Sequence, residues 1–158
     1  MINITQYLQD IYEDLQRYID NDVCLCKFKE LNFEAGALPD YEDINIQQLY
    51  LLRYAFAYAF EYSRMYLDVL SQMDDVNNIS VISVGCGSMI DYWSLVHALE
   101  MRRKIGCSIR YVGIDKIDWN YKIPKRQNDE VHYLIGIVNL SPMCIFSQSQ
   151  LASSLIVN

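Results

Sequence analysis

Val81-Ile82-Ser83-Val84-Gly85-Cys86-Gly87-Ser88 is a short apolar run that stops on two glycines one residue apart. It decides the fold. The run begins at Ile79, is rich in β-branched residues and is too short for a helix, so residues 79–84 read as a buried strand. A sharp turn at the end of such a strand needs unusual backbone angles at Gly85, and a ligand reaches the backbone only where Gly87 offers no side chain. Ser88 can cap a helix running to about Lys104, with Ile90, Trp93, Leu95, Val96, Leu99 and Met101 on its apolar face and Gly106 at its end. The first amides of that helix would make a mildly positive pocket over the turn.

Downstream, Ile109–Ile114 reads as a second strand and Val131–Val138 as a third. Residues 116–130 give enough chain for a crossover through a short helix or an irregular loop. Ser141-Pro142 has the form of a cap and first-turn proline, which predicts a helix from Met143 to about Val157. The order strand, helix, strand, connection, strand, helix predicts a parallel sheet covered on both faces.

Upstream, Ile4, Tyr7, Leu8, Ile11, Leu15, Tyr18 and Ile19 recur at intervals of three and four and predict a helix over about 4–20. Residues 23–40, with Gly36 and Pro39, read as an irregular connection. Asp40 or Asp43 can cap a longer helix to about Met73, because neither Gly nor Pro occurs between Pro39 and Gly85. Tyr50, Tyr54, Tyr58, Tyr62 and Tyr66 stand four apart on it, a row that drifts slowly around the axis. Either the rings pack on the sheet with their hydroxyls at its rim, or Arg53 with Tyr54 or Tyr58 closes over a ligand. The fold class is therefore α/β: an N-terminal helical region over 1–75, then a partial Rossmann-like parallel sheet of about three strands over 76–158.

The 158 residues suit one compact core without staples. Five cysteines are an odd number, and acids rather than a basic and apolar leader fill the first 25 residues, so a cytoplasmic location is expected. Cys24 and Cys26 lack the second pair of ligands that a closed zinc site takes, so no metal is expected. His97 and His132 have no motif around them and read as structural or surface residues. Arg53, Glu61 and Arg64 interrupt the richest apolar stretch before it reaches the roughly 18 residues that cross a bilayer. Net charge is −7, and residues 1–44 hold ten acids against three bases. General nucleic-acid binding, which needs a basic face, is not expected. An open sheet edge would leave self-association as a route to a partner.

The site chemistry turns on the residues after the glycines. A dinucleotide fingerprint would place a third glycine at position 90, where Ile90 stands, so a pyrophosphate close to the helix is disfavoured. S-adenosylmethionine has no phosphate and needs an acid for its ribose hydroxyls. Asp115, ending Tyr111-Val112-Gly113-Ile114-Asp115, is placed to accept two charge-strengthened hydrogen bonds.

With these two motifs, at Val81–Asp91 and Ile114-Asp115, residues 79–140 resemble the Rossmann-like methyltransferases that use S-adenosylmethionine. The resemblance implies that Gly85, Cys86, Gly87 and Ser88 form the loop against the methionine part and that Asp115 grips the ribose. Lys116 and Ile117 would flank the adenine. Asp91 either favours the helix dipole or meets the ligand's ammonium, and Trp119 either stacks on adenine or packs in the ordinary way. The family's sheet has seven strands, so a truncated form is expected, with no catalytic base to name and the methyl acceptor open. The rival expectations are a non-catalytic interaction module and a nicotinamide-dependent oxidoreductase.

Overall fold

A computed structural model describes residues 3–18, 39–73, 76–136 and, for the backbone, 154–157. The chain is α/β, with N-terminal helices preceding a parallel sheet. Helix α1 spans Ile4–Tyr18 and α2 spans Ile44–Ser71. Asp43 caps α2 by accepting from the Asn45 amide at 2.7 Å. Strand β1 (Asn78–Val84) leads through the glycine turn to α3 (Ile90–Met101), then β2 (Ser108–Asp115) and β3 (Glu130–Ile135).

A fourth short strand, β4 (Ser154–Val157), joins the other side of β1, giving the order β3-β2-β1-β4 with every pair parallel. That corrects the helix expected to run to Val157. Its last residues are drawn into the sheet opposite Ser80–Ser83, and its earlier part, 143–153, lies outside the described residues. The irregular connection at 23–38 and the Cys24–Cys26 pair lie outside them as well.

Two boundaries around α3 also differ from expectation. Ser88 does not cap it: Met89 takes the cap position in the left-handed conformation (φ 67°) with no side-chain cap bond, so the helix starts at Ile90. At the other end Arg103 (φ 57°), not Gly106, adopts the left-handed turn. Residues 116–129 form no helix and cross to β3 as an irregular segment. It is fixed by side chains: buried Asp129 accepts from Arg126, Tyr92 and the Ile109 amide, and Arg126 also donates to the Cys107 carbonyl at 2.9 Å.

Helix α3 is buried nearly all round, from Ile90 to Leu99. Its sheet side meets Ile79, Val81, Ile109 and Tyr111 of the core, with Tyr92 edge-on to Tyr111. On its outer side it meets α2, where Ser94 donates to the Ala59 carbonyl. Ala55, Ala59 and Ser63, four apart, keep that seam thin enough for close packing. Among the described residues no helix is long and apolar enough to cross a membrane.

Candidate functional site

In the observed sheet, β1 has β2 on one side and β4 on the other, so the strand order reverses at β1. Crevices at the carboxyl ends of strands open at such a reversal. Val84 pairs with Ile114, and the Gly85 amide donates to the Ile114 carbonyl at 2.7 Å, which lays the glycine turn across the end of β2. Gly85 (φ 72°) occupies the left-handed region that the turn required of it, and Gly87 (φ 53°) does so as well.

The turn and the acid are joined directly. The Gly87 amide donates to Asp115 Oδ2 at 2.8 Å, and the Ile117 amide donates to Oδ1 at 2.9 Å. Each carboxylate oxygen keeps lone-pair capacity for a further donor. Beneath the turn, Gly113 makes room for Cys86, which is 8 % exposed. Burial, followed by the nearby charges of Asp91 and Asp115, pushes the Cys86 thiol up to about 12, so it is a packing group rather than a nucleophile at neutral pH.

These residues line a cavity of about 310 Å³, at the small end of the range for ligand sites. One wall is the turn, with Gly85, Cys86, Gly87, Ser88, Asp115, Lys116 and Ile117. Asp91 closes its inner end, 3 % exposed, with the Tyr111 hydroxyl 2.9 and 3.0 Å from its two oxygens and a further bond from Ser83. Burial raises the Asp91 carboxyl above its usual range, and among the described residues its partners are neutral donors rather than a cation.

The facing wall is aromatic: Tyr41, Tyr50, Tyr58 and Tyr62, with Trp119 from the segment after β2. Trp119 packs against Tyr41 at 6.0 Å and Tyr50 at 5.5 Å between ring centroids. The tyrosine row thus divides as its drift dictates: Tyr66 is fully buried in the core, whereas Tyr50, Tyr58 and Tyr62 reach the cavity.

Of the residues singled out from the sequence, Gly85, Cys86, Gly87, Ser88, Asp91, Asp115, Lys116 and Ile117 come together here, with Tyr58 and Trp119. Arg53 and Tyr54 are not among the lining residues: Tyr54 packs between Tyr50 and Tyr58, and the Arg53 guanidinium lies 5.1 Å over the Tyr54 ring. His97 stacks on Trp93, and exposed His132 pairs with Glu130.

Sequence reasoning missed Gln47, which is fully buried and bridges two lining segments. Its Nε2 donates to the Tyr41 carbonyl at 2.9 Å and the Asp118 carbonyl at 3.4 Å, and its Oε1 accepts from the Asn120 amide at 2.9 Å. The signal was the amide pair Gln47-Gln48 on the inward face of an apolar helix. Two of its partners, Asp118 and Asn120, are more than 70 residues away and could not be read locally.

No family model matches the chain, and neither a curated protein nor a solved structure does.

Proposed function

We propose that this chain binds S-adenosylmethionine over the glycine turn, as the cofactor-binding portion of a methyltransferase. The observation that carries this reading is the Gly87 amide on Asp115, which sets the glycine turn and a carboxylate with spare acceptor capacity side by side at the ends of neighbouring parallel strands.

The donor set suits the ligand's chemistry. Asp115 can take two hydroxyl hydrogen bonds, each strengthened by its charge. Asp91, buried with no cation beside it among the described residues, suits the ligand's ammonium, since a buried carboxylate is stabilised by a positive partner. Tyrosine and tryptophan rings beside two carboxylates favour a cation and oppose a pyrophosphate, which argues against the nicotinamide alternative. Lys116 and Ile117 stand where the adenine would lie. When bound, the group supplies an electrophilic methyl on sulfur, and this chain's residues orient it and exclude water from its inner end.

Calorimetric titration with S-adenosylhomocysteine tests the proposal. Binding in the micromolar range, about −8 kcal/mol, is expected, with none for NADH. The reverse pattern would replace the methyl donor with a dinucleotide.

A second reading, a non-catalytic interaction module, draws on exposed Phe56 and Phe60 of α2 and on Leu134 and Ile135 of edge strand β3. It expects self-association without any heat from S-adenosylhomocysteine.

A further inference from the structure

Trp119 is 6 % exposed, and its Nε1–H has no hydrogen-bond partner among the described residues. Buried donors of this kind nearly always have one. The same edge of the indole lies over Gly87, where a Cβ would stand 3.6 Å from Cε2 and 3.9 Å from Nε1. The methyl that glycine lacks therefore leaves a gap beside the donor, in a cavity that both residues line. Asp115 also stands beside Gly87, its Oδ2 accepting from the Gly87 amide at 2.8 Å. A ligand lying over Gly87 thus has both a neutral donor and a carboxylate close by.

We propose that Trp119 is a specificity residue of this site, donating its indole N–H to a hydrogen-bond acceptor on the ligand, an ether oxygen or ring nitrogen adjacent to the hydroxyls held by Asp115. The inference rests on the reading of the cavity as a nucleoside-sulfonium site and adds a requirement to it: hydroxyls alone do not satisfy the site. The donor is shielded from water, and the rings of Tyr41 and Tyr50 pack against the indole that carries it.

The chain has two tryptophans, Trp93 and Trp119, so its ¹⁵N spectrum has two indole resonances and Trp119→Phe assigns them. On titrating the unaltered protein with S-adenosylhomocysteine, the Trp119 N–H should move downfield and exchange more slowly, while Trp93 stays in place. Trp119→Phe, which keeps a ring and loses the donor, should bind about tenfold more weakly. A stationary Trp119 resonance at saturation, or equal affinity for the Phe variant, overturns the proposal and leaves the cofactor reading standing. Failure of the unaltered protein to bind removes both.

Discussion

Gly113 lies directly beneath Cys86: a Cβ built on the glycine would stand 2.7 Å from the cysteine Sγ and 2.9 Å from a ring carbon of Tyr111. The glycine turn is seated on the second strand through this one absent methyl. Gly113→Ala should therefore push Cys86 out of place, destabilise the fold by about 1–3 kcal/mol and abolish binding of S-adenosylhomocysteine. Adding Cys86→Ala should return part of both losses, because it removes the nearer of the two obstructions. Urea denaturation of the single and double variants measures the coupling, and strictly additive effects would mean that the contact does not govern the turn.

Asp91 sets stability against binding. Its burial raises the carboxyl, so ionisation opposes folding at any pH above the unfolded value near 3.9. Asp91→Asn removes that charge at nearly constant shape and should stabilise the chain by about 1–2 kcal/mol at pH 7. The advantage should shrink as pH falls from the raised folded value toward the unfolded value near 3.9, and be gone below it, where the carboxyl is protonated in both the folded and unfolded states. The same variant should bind S-adenosylhomocysteine at least tenfold more weakly, having lost the partner for its ammonium. A variant that is stabler and binds equally well would confine Asp91 to a structural role.

Asp129 has the opposite sign. Burial alone would raise it, but the hydrogen bonds from Arg126, Tyr92 and the Ile109 amide, with the Arg126 charge, outweigh that and hold it below the usual carboxylate range. A depressed carboxyl contributes stability that is fully present above the unfolded value near 3.9 and is lost as pH falls through the lower folded value. Asp129→Ala should cost about 3 kcal/mol at pH 7, since it leaves Arg126 half-sheltered without its partner. Thermal melts from pH 7 down to pH 2 should show the two proteins converging only at the acid end.

The strand, glycine turn and acid were legible because each signal is local. A β-branched run changes the period at Ile79, two glycines mark the bend, and Asp115 ends a second run at the matching level of the sheet. What stayed hidden depends on distant partners. The segment after β2 has no periodicity because it is held by Gln47, Arg126 and Tyr7, whose hydroxyl donates to the Tyr121 carbonyl across 114 positions. Ser141-Pro142 favours a helix start locally, yet Ser154–Val157 pairs with β1, and only the sheet determines that. Arg53 and Tyr54 share a helix with the cavity's tyrosines. Arg53 is turned about 100° away from that row, whereas Tyr54 stands on the row itself and is packed between the rings of Tyr50 and Tyr58 rather than lining the cavity.

Gln47 offers the sharpest test of how the aromatic wall is held. Its amide joins the backbone before α2, which carries Tyr41, to the backbone on either side of Trp119. Gln47→Met should remove the three bonds that tie Tyr41, Asp118 and Asn120 to α2, costing about 1–3 kcal/mol and loosening the wall, so that affinity for S-adenosylhomocysteine falls along with stability. Gln47→Glu separates these effects. Ionised, its carboxylate faces the Tyr41 and Asp118 carbonyls and repels both; protonated, it regains a donor in the same position. Binding by this variant, measured at several pH values and referred to the unaltered protein, should improve as the solution is acidified through the range where a buried carboxyl gains its proton, above the ordinary value near 4.3. A flat ratio across that range would show that the amide's donor does not position the wall, and that Gln47 only fills space between α2 and the segment it touches.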